Sequence, residues 1–466
     1  MNNTKIIATI GPNISDIDTL KELFDSGADV ARINMSYADE AFCLDIIKKL
    51  EKINKENARK MALMLDIAGP NVRINDIDGG EAYLEQGDKI RIYMDKVLGD
   101  KTKFSLNYNI IDDIKVNDTI KIRDGKITLK VIDKDTSILC EVIVPGKIET
   151  GNNLNVIGKK LNIPFLSEKD KNNIRFACQN KVDFLSLSFV SSLDDVLEVN
   201  DMLIEMENDH LEIIAKIETE HAFEEIDEII KASDGIMVAR GDLGVNVPIE
   251  RVPIIQKTII NKCHEYGKIS IVSTEFLSSM ENDLMPTRAE VSDVANAVID
   301  GTDAILLADE VAKGNYPVQT LKMMEKIIGT TESSINTYHQ EILDEQQDIT
   351  GSVAYSVVEC AKKLDVKAIV APTMSGYTAI KLSKFRPNCP IVALSPNIET
   401  VKNLTLHYGV HPIHIETLNN FDDIIKVAKE NAKYLFKINE KDRIIITGGY
   451  PFSKVKHTNF MKIEEL

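Results

Sequence analysis

The sequence has few cysteines and no long apolar run. Its six cysteines are scattered and no two of them form a C-x-x-C pair, which argues against a zinc site and against a disulfide framework. No stretch approaches the roughly 20 apolar residues that cross a membrane, and the opening MNNTKIIATIGPN lacks the apolar stretch of a secretory signal. We therefore expect a cytoplasmic protein with reduced thiols and no membrane partner.

Basic residues are also in deficit. The chain carries 55 Lys and Arg against 73 Asp and Glu, a formal net charge of -18, so it is a poor candidate for binding nucleic acid or an anionic membrane. The phosphate-binding patterns G-x-x-x-x-G-K-[ST] and G-x-G-x-x-G are both absent. Any anionic substrate must then be held by individual Lys or Arg side chains, by backbone N–H groups or by a metal.

What the sequence does contain is a repeated pattern of strand and helix. Short apolar segments that end in a polar residue or a glycine alternate with segments of helical period, which indicates parallel βαβ units. Eight such strands predict a (β/α)8 TIM barrel, an α/β fold whose active site lies at the C-terminal ends of the strands. The segments are KIIATIG, DVARINMS, MALMLDIAG, DFLSLSFV, EIIAKIE, DGIMVARGD, ISIVSTE and DAILLADE.

The 466 residues exceed one compact core, and the pattern changes in two places. Alternating, β-branched segments such as TIKIRDGKITLKVIDKD predict a β-rich insertion at residues 71–157, between barrel parts at 1–70 and 158–335. The polar stretch SSINTYHQEILDEQQDITGS predicts a helix and a linker. Strand and helix alternate again beyond it, which predicts a separate α/β domain at 345–466.

The predicted strand ends carry polar groups that would meet at one mouth. Carboxylates such as Glu218 and Asp242 suit Mg²⁺ or Mn²⁺, while Lys216 and Arg32 could hold a phosphoryl group beside that metal. Gly241 allows a ligand to approach the backbone closely. The oxygens of three further residues could hold a monovalent cation: Asn34, Ser36 and Asp66.

Each group taken alone has a simpler explanation. Lys216 and Glu218 could form a solvated surface pair of little energetic value. Asp242 could be the N-cap of a helix, and Asn34 and Ser36 could cap the next one. The functional interpretation is favoured because five separate strand ends supply complementary groups, and the simpler explanation would have to hold independently at each.

The sequence also resembles a known family. The segments TKIIATIGP, DVARINMS, IIAKIE, SDGIMVARGDLGV, PTRAEVSDVANAVIDGTDAILLADEVAKGNYP and GGYPFSKVKHTNF are similar, in order and along the whole chain, to motifs of pyruvate kinases. The resemblance implies a barrel with an inserted small β-barrel lid, and a C-terminal effector domain in a homotetramer. It also implies phosphoryl transfer from phosphoenolpyruvate to ADP, giving pyruvate and ATP.

The resemblance also implies roles for individual residues. Lys216, Arg32 and Thr274 match catalytic groups, and Thr274 matches a group near the proton delivered to the enolate carbon. Glu218 and Asp242 match the divalent-metal ligands. The other matches are a substrate pocket at Arg32, Lys216, Gly241, Asp242 and Thr274, a monovalent-cation site at Asn34, Ser36, Asp66 and Ile67, and nucleotide contacts at Arg73 and Tyr37.

Several positions depart from the family pattern. The family usually has His at Tyr37, basic residues at Ser191 and Ser192, and Gln at Glu275. Other departures are at Ile67-Ala68, Asn71 and Ala308-Asp309. Together, the changes at 67, 68 and 71 leave potassium dependence open. The absence of the basic pair removes contacts worth roughly 1.5–3 kcal/mol each with a polyphosphate, so we expect weaker binding of ADP.

These departures leave two alternatives open. One is a diverged paralogue that performs metal-dependent enolate chemistry on a 2-keto acid, such as decarboxylation, without a nucleotide. The other is a non-catalytic paralogue that binds a sugar phosphate and regulates a partner.

The C-terminal domain contains a possible anion site. TMSGYT places hydroxyls and free N–H groups at a predicted helix start, where ordinary capping is an equal alternative. In the family this turn binds a phosphorylated allosteric effector, and TGGYPFSK could close the site. The residues that would contact the effector are Thr373, Ser375, Gly376 and Thr378.

Overall fold

The fold is that of a computed structural model. It describes residues 2–334, 348–416, 421–436, 439, 441–450 and 457–466, without the side chains of residues 421, 434 and 435. Most of the polar stretch at 333–352, for which a helix and a linker are predicted, therefore lies outside the described residues. No helix in the described ranges is long and apolar enough to cross a membrane, and the cytoplasmic location stays a prediction.

The strands follow one another in four groups along the chain. Three open it: β1 (Lys5–Thr9), β2 (Val30–Asn34) and β3 (Ala62–Ile67). Eight lie in the insertion: β4 (Glu81–Leu84), β5 (Lys89–Tyr93), β6 (Lys103–Ser105), β7 (Thr119–Ile122), β8 (Ile127–Lys134), β9 (Ser137–Val144), β10 (Gly146–Glu149) and β11 (Leu154–Val156). Five come next: β12 (Phe184–Val190), β13 (Glu212–Ile217), β14 (Gly235–Ala239), β15 (Ile269–Ser273) and β16 (Ala304–Leu307). The last five are β17 (Ala368–Pro372), β18 (Ile391–Ser395), β19 (Val410–His414), β20 (Arg443–Gly448) and β21 (Phe460–Glu465).

The helices lie between the barrel strands and in the C-terminal part. Those of the barrel part are α1 (Ile17–Asp25), α2 (Glu40–Glu56), α3 (Glu168–Gln179), α4 (Leu193–Glu205), α5 (Glu220–Glu224), α6 (Ile226–Ala232), α7 (Arg240–Asn246), α8 (Val252–Tyr266), α9 (Arg288–Asp300), α10 (Asp309–Ala312) and α11 (Pro317–Ser334). The C-terminal part has α12 (Ile349–Lys363), α13 (Tyr377–Lys384), α14 (Ile398–Asn403) and α15 (Phe421–Phe436).

The eight predicted strands form a closed parallel barrel in the order β1-β16-β15-β14-β13-β12-β3-β2, which confirms the TIM barrel. Side chains alternate between the two faces of each strand, so every second residue faces the interior of the barrel. Val30, Met64, Phe184 and Ile214 belong to one buried apolar cluster inside the lower barrel. Two residues further along β2, β3 and β13 the same alternation presents charged residues. The barrel is therefore apolar at its base and charged at its mouth.

The base of the barrel is closed by one repeated device. An aspartate stands directly before each of four strands, β2, β12, β14 and β16, which are the second, fourth, sixth and eighth barrel strands along the chain. Its carboxylate accepts a hydrogen bond from the backbone of the preceding barrel strand. The four pairs are Ile6 N to Asp29 Oδ2 at 2.9 Å, Leu63 N to Asp183 Oδ2 at 2.8 Å, Ile213 N to Asp234 Oδ2 at 2.9 Å and Ser270 N to Asp303 Oδ2 at 2.8 Å. We call these four contacts the aspartate clamps.

The insertion between β3 and β12 is β-rich, as predicted. Its hydrogen bonds form a six-stranded sheet in the order β11-β7-β8-β9-β5-β6 and a two-stranded sheet of β4 and β10, so the lid is built from two sheets. It has its own apolar core, which includes Phe104 and Leu129. The lid also contacts the barrel, because Lys121 Nζ donates to the backbone oxygen of Val245 in α7 at 2.7 Å.

The C-terminal part is a five-stranded sheet in the order β19-β18-β17-β20-β21 with helices packed against it, which confirms the predicted α/β fold. It docks on the base of the barrel. Arg386 Nη2 lies 3.0 Å from Asp303 Oδ1, and Lys5 Nζ donates to the backbone oxygen of Val410 at 2.6 Å. The boundaries at 70/71, 157/158 and 335/345 stay predictions.

Candidate active site

Arg32 and Asp66 form the first ion pair of the barrel mouth. They lie on neighbouring strands, and Arg32 Nε donates to Asp66 Oδ2 at 2.9 Å. Arg32 Nη1 also donates to Thr9 Oγ1 at 3.0 Å. Burial raises the pKa of Asp66, but Lys216 and Arg32 outweigh it, so the pKa of this carboxyl lies below its ordinary value. Asp66 therefore stays ionised and fixes the guanidinium in place.

Lys216 lies at the centre of the site. Its Nζ donates to Ser188 Oγ at 2.7 Å and lies 3.1 Å from Glu218 Oε1 and 3.5 Å from Asp66 Oδ2. Burial lowers the pKa of Lys216, but the carboxylates of Asp66 and Glu218 raise it above its ordinary value. The ammonium group is thus buried, charged and held by three neighbours, which confirms that Lys216 and Glu218 face one point. They are not a solvated surface pair.

Glu218 is fully buried at the end of β13. Its Oε2 accepts a hydrogen bond from Phe189 N at 2.8 Å, a contact made possible where Phe189 takes a positive φ of 58° and the register between β12 and β13 shifts. Its Oε1 has an ion-pair contact with Lys216 but no hydrogen bond of good geometry. Burial raises the pKa of Glu218 to about 7, against the opposing effect of Lys216.

Asp242 supplies a second, partly buried carboxylate. Burial raises its pKa, and the Lys216 ammonium only partly offsets this. α7 begins at Arg240, so Asp242 lies in the first turn of the helix, and the simpler explanation as an N-cap is wrong.

Together, the buried carboxylate of Glu218, with one oxygen that lacks a hydrogen bond, and the partly buried carboxylate of Asp242 fit a divalent cation. No cluster of three or more His, Cys, Asp or Glu that could hold a metal occurs in the described ranges. A cation here would take its remaining ligands from water and substrate, as Mg²⁺ commonly does.

Thr274 closes the other side of the mouth. Its Oγ1 accepts a hydrogen bond from Gly241 N at 2.8 Å and donates to the backbone oxygen of Ser273 at 2.6 Å. A Cβ on Gly241 would lie 3.4 Å from Thr274 Oγ1, an ordinary van der Waals distance, so this contact does not itself require glycine. Thr274 has a φ of 69°, which is strained for a β-branched residue and is typical of functional sites. Arg240 Nη2 supports the turn by donating to the Thr274 backbone oxygen at 2.6 Å.

The four residues predicted for a monovalent cation lie at the ends of β2 and β3. Asn34 and Asp66 are direct neighbours in the sheet, and Asn34 Oδ1 accepts a hydrogen bond from Ser36 N at 2.9 Å. Neither Asn34 nor Ser36 caps the next helix, since the N-cap of α2 is Asp39. The Ile67 side chain is a buried hydrocarbon with no ligand atom, so only the backbone oxygen of this residue could bind a cation.

The two residues predicted for the nucleotide lie apart from this cluster. Arg73 is at the base of the lid, where its Nη1 donates to the Gly151 backbone oxygen at 2.9 Å. Tyr37 is 84% exposed, and Lys313 Nζ lies 5.8 Å from the centre of its ring. Tyr37 is therefore available to a ligand, whereas Arg73 is partly used by the lid itself.

Sequence reasoning missed Lys160. Its Nζ donates to Ser192 Oγ at 2.9 Å, so a positive charge stands where the family pattern has a basic pair and this chain has serines. Ser192 in turn is the N-cap of α4, and the backbone N–H groups of Ser191 and Ser192 donate to Asp195 Oδ2 at 2.8 and 2.9 Å. The charge deficit expected on the nucleotide side is thus partly made up from another segment.

Ser188 and Asn246 were also missed. Ser188 connects Lys216 with Asp66, to whose Oδ1 it donates at 3.3 Å. The only sequence signal for Ser188 was the alternation of DFLSLSFV. This alternation places Ser188 on the same side of the strand as Phe184, the side that faces the barrel interior. Asn246 lies in α7, and its signal was an asparagine at a helical position, where this residue is unfavourable.

The predicted effector residues flank the start of α13 in the C-terminal part. Gly376 precedes the helix with a φ of 79°, and Thr378 Oγ1 lies 2.8 Å from Thr458 Oγ1. Thr373 N donates to the Leu394 backbone oxygen at 2.9 Å. Residues 451–454 of TGGYPFSK, the segment expected to close the site, lie outside the described residues.

Comparison with known proteins gives a consistent result over the full chain. Residues 1–321 match the family model described as pyruvate kinase, barrel domain, and residues 351–464 match that of the pyruvate kinase alpha/beta domain. The chain is 40% identical to a pyruvate kinase from Geobacillus stearothermophilus, over 99% of this chain and 80% of that protein. It is 39% identical to one from Clostridium perfringens, over 100% of both chains.

A solved structure is similar throughout as well. The crystal structure of a pyruvate kinase from Cryptosporidium parvum superposes with a TM-score of 0.94 at 31% sequence identity, covering 100% of this chain and 96% of that one. The similarity therefore includes the barrel, the lid and the C-terminal sheet together.

Proposed function

The chain belongs to the pyruvate kinase family, and we propose that its barrel mouth transfers the phosphoryl group of phosphoenolpyruvate to ADP, giving pyruvate and ATP. One observation carries the assignment of the site. The Lys216 ammonium is buried and charged, and it lies between Glu218, Ser188 and Asp66 at the C-terminal end of the barrel. A fixed cation in a water-poor site is what a phosphoryl group in transfer requires.

We also propose an enolpyruvate site around Gly241, supported by the contact of Gly241 N with Thr274 Oγ1. The backbone at Gly241 and Asp242 would receive the substrate carboxylate, next to the Thr274 hydroxyl. We assign to Thr274 the positioning of the group that delivers a proton to the enolate carbon, because its Oγ1 is held by Gly241 N and Ser273 O at 2.8 and 2.6 Å. Arg32, fixed by Asp66, would hold the phosphate oxygens.

Glu218 and Asp242 would hold Mg²⁺ or Mn²⁺. When bound, the cation withdraws negative charge from the phosphoryl and enolate oxygens. A monovalent cation such as K⁺ would lie at Asn34, Ser36, Asp66 and the Ile67 backbone oxygen. Asp66 is already paired with Arg32 and Lys216, so its charge is largely satisfied without potassium.

On the nucleotide side, we assign ADP contacts to Arg73 and Tyr37 and add Lys160. Lys160 Nζ reaches Ser192 across the cleft between lid and barrel. Lys159 and Lys160 both line this cleft, but Lys159 is paired with Asp118. A polyphosphate entering the cleft would therefore meet Lys160, although the basic pair is missing at Ser191 and Ser192.

We further propose a phosphorylated effector at Thr373, Ser375, Gly376 and Thr378, and a homotetramer that couples this site to the barrel. The support is the family membership of the C-terminal part and the hydroxyl-lined start of α13. Coupling of this kind requires two sites with a shared conformational equilibrium.

The deciding experiment measures pyruvate and ATP formed from phosphoenolpyruvate by the purified protein, with Mg²⁺ or Mn²⁺ and with or without ADP and K⁺. We expect ADP-dependent turnover with equal amounts of pyruvate and ATP. Absence of turnover under every condition would overturn the proposal, and oxaloacetate and other keto acids would then be tried. The full-length similarity to pyruvate kinases does not favour that alternative, nor a non-catalytic role.

A further inference from the structure

Asn246 connects the two segments that carry the proposed metal ligands. Its Nδ2 donates to the backbone oxygen of Glu218 at 2.9 Å and to that of Asp242 at 3.0 Å. One amide group thus joins the end of β13 to the first turn of α7. The residue is only 7% exposed, so water does not readily replace these two bonds.

This contact limits how far the backbone of Glu218 can move from that of Asp242. Glu218 follows the last residue of β13, and Asp242 lies in a helix of seven residues on the next strand connection. The two carboxylates repel each other, since the charge of Asp242 raises the pKa of Glu218. Without a cation, the amide group opposes the separation of the two backbone segments.

We infer that Asn246 is a positioning residue for the divalent cation: it holds Glu218 and Asp242 at the separation that the cation requires, without touching the cation or the substrate. The inference rests on the proposed metal site. Groups that orient metal ligands in this way commonly contribute 10- to 100-fold in metal affinity.

The test is a titration of the full-length protein with Mn²⁺ alone, followed by the electron paramagnetic resonance signal of free Mn²⁺. We expect Asn246→Leu to raise the Kd for Mn²⁺ roughly tenfold or more. The matched control is Asn54→Leu, because Asn54 is 9% exposed and its Nδ2 likewise donates to a backbone oxygen, that of Met61 at 2.9 Å, at the base of the barrel. This control should stay within about twofold of the unmodified protein.

Two further measurements separate positioning from structural damage. Asn246→Ala, which removes the amide without adding apolar bulk, should show the same loss of affinity even if the Leu variant fails to fold. Activity of either variant should recover toward that of the unmodified protein at saturating Mg²⁺, because excess cation would fill the weakened site.

The outcomes distinguish this inference from the function on which it rests. If Glu218→Gln abolishes Mn²⁺ binding but both Asn246 variants bind Mn²⁺ within twofold of the unmodified protein, the role of Asn246 is wrong and the metal site stands. If Glu218→Gln has no effect on Mn²⁺ binding, the metal site itself is wrong, and the inference falls with it.

Discussion

Lys216 Nζ lies 2.7 Å from Ser188 Oγ, and this is its shortest contact in the site. The serine hydroxyl cannot neutralise the ammonium, but it fixes the direction in which the lysine points. Ser188 lies on β12 and Lys216 on β13, so the contact joins neighbouring strands of the barrel.

Ser188→Ala should therefore lower kcat while leaving the fold intact. A hydrogen bond to a charged group is worth about 1.5–3 kcal/mol, so we expect a loss of roughly 10- to 100-fold. The control is Ser186→Ala on the same strand, since the Ser186 hydroxyl is buried without a hydrogen-bond partner and its removal should be neutral or stabilising. Steady-state kinetics and thermal unfolding of both variants check this; similar kcat losses in the two would contradict it.

Lys216→Met should abolish phosphoryl transfer while part of the enolisation of pyruvate survives. The lysine neutralises the moving phosphoryl group, whereas enolisation depends on the cation and Thr274. We expect phosphoryl transfer to fall by about 10³-fold or more, as for other cations at such sites. Release of tritium from labelled pyruvate measures the surviving step, and an equal loss of both activities would show that the role of Lys216 is different.

Lys160→Met should weaken binding of ADP without affecting phosphoenolpyruvate. Removal of one charge-assisted contact costs about 1.5–3 kcal/mol, so the KM for ADP should rise roughly 10- to 100-fold. Lys159→Met is the matched control, because Lys159 lines the same cleft but its Nζ is already bound to Asp118 Oδ2 at 2.5 Å. An unchanged KM for ADP in the Lys160 variant would remove this residue from the nucleotide site.

Glu310 should make folding pH-dependent. It is 3% exposed, its Oε1 has no hydrogen bond, and burial raises its pKa from 4.5 to about 7. The folded protein therefore binds this proton more tightly than the unfolded chain. The contribution of Glu310 to stability is complete below about pH 4.5 and is lost as the pH rises through about 7.

Glu310→Gln should remove that dependence, so its stability relative to the unmodified protein should increase between about pH 5 and 8, by up to about 3 kcal/mol. Urea unfolding at several pH values measures this. Glu51→Gln, which changes an exposed carboxyl on α2, is the control and should show a constant difference. If the difference for Glu310→Gln is equally constant, the carboxyl is ionised throughout.

Sequence reasoning succeeded where the relevant geometry is local. Alternation along one strand is enough to place Lys216 beside Glu218, and the common direction of parallel strands is enough to bring Arg32 and Asp66 to the same mouth. Both follow from the backbone period, without knowledge of distant segments.

It failed where a contact joins distant segments through a side chain. Lys160 meets Ser192, 32 positions further along, only because the lid returns to the barrel at that point. Asn246 binds backbone oxygens, which every residue has, so no partner residue type reveals the contact. The strained φ of Phe189, which turns its N–H toward Glu218, likewise depends on packing of the finished barrel.

The aspartate clamps have a consequence for the order of folding. Three of the clamps join residues within 33 positions of each other, but Asp183 must reach Leu63 across 120 positions, because the lid is inserted between them. Once the lid is folded, the Arg73–Asn153 bridge brings its two ends together and shortens that loop. Early formation of the lid would thus speed closure of the ring of strands.

A variant that weakens the lid core, such as Leu129→Ala, should then slow refolding of the whole chain. The rate at which activity returns after dilution from urea measures this refolding. The control is Leu382→Ala, which weakens the C-terminal core to a similar degree because both leucines are fully buried. It should slow closure of the barrel much less, since only Leu129 lies inside the long loop. The insertion between β3 and β12 would act, during folding, as the connection that makes barrel closure fast.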